Sequence, residues 1–243
     1  MDLMTDEFMR ELSNNAYRHR FRQLEAQGYN PTVPSGNFAD IWFNAVDLVY
    51  PTVARTLTVQ STGNDTDGGT GARTVVINGL NSAWEEISET ITLNEATDPT
   101  TTNEFIRVNT CFVDEVGTGE VNENNITFTT TTDLEIQANI ESGIGQTQKS
   151  HYSCPINHKM MMGSWIVSSG KGEDFELRLM SREFGKSWHT VHRSLVYESH
   201  VTEHINGTIS AKSDVKVMAK SITSNNKPMN CSYDFVLSPD TYL

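Results

Sequence analysis

The sequence predicts a mainly β protein, made of antiparallel β-sandwich or jelly-roll-like domains with an N-terminal helix. Three observations point that way. Between Gly71 and Val108, Ile87, Ile91 and Leu93 fall on one side of a strand while Ser88, Thr90 and Thr92 fall on the other. That period of two marks a half-buried antiparallel strand. Short strand-like runs with frequent Gly, Asn and Asp turns recur along the chain, as in sandwiches and barrels. A convincing helical period occurs only over residues 4–27.

Residues 1–37 read as an N-terminal helical arm and linker. Thr5 can cap the helix, and Asp6 and Glu7 favour its positive end. Phe8, Leu12 and Leu24 recur at helical intervals, with Met4, Met9 and Phe21 nearby. Arg18, Arg20 and Arg22 enrich the C-terminal half, and Gly28 can stop the helix. This segment is basic while the remainder is acidic, which suits packing on its own domain or docking on a partner subunit. The prolines and glycines of 28–37 read as a linker.

Residues 38–133 read as a first β-sandwich domain. Its apolar 41–50 stretch suits a buried strand or a short helix. Strands are expected at 57–60, 73–77, 87–93, 105–113 and 125–129, with the Asn-, Asp- and Gly-rich segment 64–71 as a turn tip. The polar run Thr129–Thr132 before Asp133 marks a boundary, so residues 134–243 read as a second β-sandwich domain. There Leu134, Ile136, Ala138 and Ile140 share a face. Residues 143–148 read as a loop, and strands follow at 161–167, 175–180, 190–197, 213–221 and 231–237. Phe175, Leu177 and Leu179 point one way, Glu176 and Arg178 the other.

Composition narrows the function classes. A chain of 243 residues, 37% hydrophobic and 20% charged, can bury one large or two smaller cores. A net charge of −13 argues against nucleic acid, whose phosphates need clustered Lys and Arg, and against anionic membranes. No apolar h-region opens the chain and no long apolar run crosses it, so neither a secretory signal nor a transmembrane helix is expected. Cys111, Cys154 and Cys231 are odd in number and widely spaced, which suits buried free thiols. The N-x-[ST] patterns at Asn64, Asn125, Asn206 and Asn230 read as chance in a chain rich in Asn and Thr.

No catalytic, cofactor-binding or metal residues are expected. His189, His192, His200 and His204 are the densest set of possible ligands. Spacings of three and four would pair imidazoles on a helix, but this region looks extended, where His189 and His192 point to opposite faces. They read as surface or interface histidines. Asp65 and Asp67 resemble the start of a calcium loop, yet Val76 stands where an EF-hand needs its bidentate Glu. Glu85 with Glu86, or Glu173 with Asp174, are poor glycosidase pairs, because neighbours on a strand point apart. Residues 168–174 lack phosphate-loop spacing. Trp42, Trp84, Trp165 and Trp188 could stack on sugars but more commonly fill cores.

Several features together resemble virion-associated proteins of tailed bacteriophages. They are Gly145-Gln146-Thr147, Tyr152, Pro155, Gly170-Lys171-Gly172, Arg178-Leu179 and Thr190-Val191-His192. They continue with Tyr197, Lys212-Ser213-Asp214-Val215, Ala219-Lys220 and Asp234-Phe235-Val236-Leu237, and the 71–108 block belongs with them. The resemblance spans residues 50–240 and consists of turn and core positions. It implies a virus-particle component built from β-sandwich domains; the leading expectation is a non-enzymatic structural subunit, made in the host bacterial cytoplasm and anchored by the N-terminal arm, on the capsid exterior as a decoration protein or at the head–tail region. Its implied partners are copies of itself and other virion proteins, capsid, portal or tail, with no nucleic acid and no membrane. The alternative is a host-surface glycan-binding module of a tail or fibre.

Overall fold

The computed structural model describes residues 21–44, 46–170, 172–197 and 200–240. Helix is expected over 4–27, but Arg22–Val33 forms a strand, β1. Leu24, Ala26, Gly28 and Asn30 turn inward at every second position, and pairing along the length of another strand outweighs the weaker helical spacing. Residues 28–33 of the expected linker belong to β1 as well. The part of the expected helix before Phe21 lies outside the described residues.

The chain divides into two units, Met1–Ile41 with Ser150–Leu243, and Trp42–Lys149. The boundary expected at 133/134 falls instead within the second unit, between two strands of one sheet.

The first unit holds β1, β2 (Ala39–Asp40), β9 (His151–Ser153), β10 (His158–Ser169), β11 (Phe175–Glu183), β12 (His189–Val196), β13 (His200–Ile209), β14 (Ser213–Ser221) and β15 (Lys227–Pro239). One antiparallel sheet runs β1-β15-β10-β13 and the other β12-β11-β14-β2, with β9 also on β14. Leaving β9 aside and counting in chain order, the first sheet reads first, eighth, third, sixth. The second reads second, seventh, fourth, fifth, and together they give the strand order of an eight-stranded jelly roll. Alternate residues of both sheets fill one core, among them Ala26, Met160, Trp165, Phe175, Leu177, Val215, Val217, Tyr233 and Phe235.

The second strand of the roll is interrupted. β2 pairs with β14 at Ala219 and Met218, and β9 pairs at Lys216, Val215 and Asp214. Val217 lies between them: its carbonyl accepts from Ile41 N at 3.0 Å and its N–H donates to Ser150 O at 3.1 Å. Ser150 N closes the neck on Ile41 O at 3.0 Å. One strand position is thus shared by two segments, and residues 42–149 leave and return through it. Gly28 of β1 lies against this neck. A Cβ there would strike the Ile41 carbonyl and come within 2.5 Å of Ser150 N, so the site requires glycine for close approach rather than for helix termination.

The second unit holds β3 (Leu57–Gln60), β4 (Ala72–Leu80), β5 (Glu86–Thr92), β6 (Arg107–Val116), β7 (Ile126–Thr130) and β8 (Ile136–Ile140). Its sheets run β3-β7-β8 and β5-β4-β6 over a shared core that includes Val59, Ile77, Leu93, Phe105, Phe128 and Ile140. The 71–108 block supplies β4, β5 and the start of β6. Its first turn is set by Asn81, whose Oδ1 accepts from Ala83 N at 2.9 Å and Glu85 N at 3.0 Å. The described residues of the 41–50 stretch form neither a named strand nor a helix; Trp42 makes a bridge to Lys149. Leu134 does not join the face of Ile136, Ala138 and Ile140. It sits at the β7–β8 tip with φ +56°.

Candidate functional site

The four histidines do not converge. His189, His200 and His204 are exposed, while His192 turns partly inward from β12. Its Nε2 lies 2.8 Å from Glu203 Oε2, its ring meets Trp165 edge-on at 5.1 Å, and Ser194 Oγ donates to Glu203 Oε1 at 2.8 Å. Trp165 Nε1 donates to the same carboxylate at 2.9 Å. Burial pushes the Glu203 carboxyl up, but the hydrogen bonds from His192, Ser194 and Trp165 and the His192 charge outweigh it and hold it below the ordinary range. Ser194 donates to the carboxylate and not to the imidazole, so this is a satisfied structural cluster rather than a nucleophile beside its base. Among the described residues no group of three or more His, Cys, Asp or Glu could hold a metal ion.

Asp65 is buried, and its carboxylate is committed to backbone N–H groups. Oδ1 accepts from Ala72 at 2.8 Å and Glu123 at 2.9 Å, and Oδ2 accepts from Asn124 at 2.6 Å. Asp67 is exposed. The Asp65 carboxylate therefore ties two loops together, the turn anchor that the failed calcium spacing leaves as the alternative. Glu85 and Glu86 are exposed, and Glu173 pairs with Lys227. Trp42, Trp84 and Trp165 are buried. Trp188 is half-buried, with Arg182 at 4.5 Å and Lys216 at 4.9 Å from its ring. The four tryptophans do not form an exposed platform.

All three cysteines are buried thiols outside any disulfide. Burial pushes the Cys111 thiol up to about 12, away from the reactive thiolate. Sequence reasoning missed Lys149, which is buried in the second unit. Its Nζ donates to Val108 O at 2.6 Å and Gln137 O at 3.0 Å, and burial lowers it to about 8. A lone lysine late in a polar loop gives no sign of this in sequence. Among the described residues no helix is long and apolar enough to cross a membrane.

Two surfaces remain. The first is the outward face of β12, β11 and β14. Glu176 there receives Arg193 at 2.8 Å, Arg178 at 3.0 Å and Lys220 at 3.3 Å. Burial raises the Glu176 carboxyl, while hydrogen bonds from Arg178 and Lys220 and the charges of Arg193 and Lys220 bring it down overall. Arg178 lies 3.9 Å and Lys220 5.0 Å from the Phe38 ring. Leu195, the cross-strand partner of Glu176, and Tyr197 are exposed beside them. Three cations around one carboxylate leave this patch positive. The second surface is that of residues 42–149, with sixteen Asp and Glu against four Lys and Arg, a net −12 of the chain's −13. Two of those four cations, Arg107 and Lys149, are buried.

No protein-family model and no curated protein matches the chain. Solved structures overlap it weakly. A structure of infectious bursal disease virus, Gt strain, is 9% identical at a TM-score of 0.25, covering 92% of this chain and 74% of that one. The T13 particle of the same virus is 10% identical at a TM-score of 0.27, covering 90% and 68%. Its VP2 subviral particle is 10% identical at 0.25, covering 92% and 73%.

Proposed function

We propose that the chain is a non-enzymatic structural subunit of a virus particle, and within that class a tailed-phage component of the capsid exterior or the head–tail region. The strand order of the first unit supports this reading most, because jelly rolls are among the architectures that build capsids. A fold alone does not assign a function. The candidate ionisable clusters, Glu203, Asp65, Glu176 and Lys149, are engaged in holding strands and loops together. The tailed-phage resemblance over 50–240 supplies the finer class.

Cryo-EM of intact particles tests the proposal. The expected density is this chain at symmetric, stoichiometric positions; particles purified to homogeneity without it would overturn the reading. A second experiment tests the N-terminal arm as the anchor. Because β1 starts at Arg22, the deletion must stop at residue 20 to spare the roll. Loss of incorporation with an unchanged melting temperature is expected, and undiminished incorporation would rule the anchor out.

A further inference from the structure

Leu134 combines two unfavourable features. It is 75% exposed, and its φ of +56° lies in the left-handed region where residues other than Gly, Asn and Asp are rare. The hairpin tip holds it there: Thr130 O accepts from Leu134 N at 3.2 Å, and Thr130 Oγ1 accepts from Glu135 N at 2.9 Å. Asp133 and Glu135, on either side, line a cleft of about 220 Å³ with the exposed Val49 and Val53 and with Arg55, which pairs with Asp133 at 3.2 Å and leaves the carboxylates one in excess. An apolar side chain held out in a strained conformation between two acids is the chemistry of a contact. The unit that carries it is the anionic one.

The outward face of β12, β11 and β14 has the complementary character. Arg193, on the β12 edge of the three-cation group, is 58% exposed, and Leu195 and Tyr197 offer apolar area next to it.

We propose that the acidic 131–135 tip of one copy docks on the Arg193–Arg178–Lys220 face of a second copy. This names the partner within the particle-subunit reading and rests on it for its biological setting. The chain itself supplies the anionic surface that matches its cationic patch, and opposite fields of this kind speed and orient encounter. Each copy offers a tip and a face, so one copy can engage a second through either surface.

Sedimentation velocity on the full chain provides the test. Association should be concentration-dependent and weaken as salt rises from about 50 mM to about 500 mM, since screening shortens the reach of exposed charges. Arg193→Glu and Leu134→Asn should each reduce self-association by about tenfold or more, and Arg193→Lys should restore most of it. Asn tolerates the positive φ, and melting curves confirm that each variant folds. Mixing the two single variants should give dimers without larger species, because one intact tip then meets one intact face.

A chain that stays monomeric at low salt, an Arg193→Glu variant that associates like the parent, or a mixture that stays monomeric would each overturn the proposal. So would a single-stranded oligonucleotide that binds the parent and not Arg193→Glu, which would assign the face to a polyanion. Incorporation of Arg193→Glu into particles at full stoichiometry would remove this contact and leave the particle reading standing. Absence of the chain from particles would remove that reading itself.

Discussion

Trp165 and Glu203 are cross-strand partners on β10 and β13, and the indole Nε1 donates to Oε2 at 2.9 Å. The pair joins a fully buried ring to a carboxylate that His192 and Ser194 hold from β12, in the other sheet. Three elements therefore meet on one side chain. Glu203→Leu should cost about 1–3 kcal/mol in urea unfolding, because a buried indole N–H loses its acceptor. Glu203→Gln should cost less, since the amide oxygen can still accept.

The same carboxylate predicts an acid limb. Its folded-state value is depressed, so its stabilisation is complete above the ordinary carboxylate value of about 4.3. That contribution is lost as pH falls through the folded value. Glu176 acts with the same sign. Thermal melts across the acid range should fall more steeply for the parent than for Glu203→Leu; parallel curves would show that the carboxylate is not coupled to folding.

Lys149 has the opposite sign. Burial lowers it to about 8, below the unfolded value of about 10.4, so the unfolded chain binds more protons between those values and stability rises with pH there. Lys149→Met should cost about 1–3 kcal/mol at neutral pH by leaving the Val108 and Gln137 carbonyls without their donor. The gap between parent and variant should widen from pH about 8 to about 10. Comparing the two removes the opposing contribution of Cys111.

The neck predicts that the first unit tolerates excision. Ile41 O and Ser150 N are already hydrogen-bonded at 3.0 Å, so joining them through a two-glycine turn should leave a cooperative jelly roll, read by a single calorimetric transition. Gly28→Ala should destabilise that shortened protein and the full chain alike by several kcal/mol, because the methyl meets backbone on both sides of the neck. A variant as stable as the parent would show that the neck can give way.

Asp65→Ala should cost about 3 kcal/mol, since three backbone N–H groups lose a charged acceptor. Asp65→Asn should recover part of this. Hydrogen exchange at Ala72, Glu123 and Asn124 should rise in both variants.

Much of the β architecture was legible in the chain. Alternation at Leu57–Gln60, Leu177–Met180 and Val217–Ser221 reports which face is buried, because successive side chains on a strand point to opposite sides. Other features were hidden. Residues 22–27 satisfy a weak helical spacing as well as a strand alternation, and only pairing with β15 at Leu237 to Ser232 decides between them.

The sequence by itself determined local order: which segments extend, where turns fall, and that the chain is acidic. Tertiary structure decided what depends on residues far apart. Val217 fixes Ile41 and Ser150 at one strand position and thereby makes residues 42–149 an insertion rather than half of a tandem pair. It also buried Lys149 and Glu176 and left Leu134 outside. Local propensity cannot supply these outcomes, because burial and pairing come from surfaces that meet only after the chain has closed on itself.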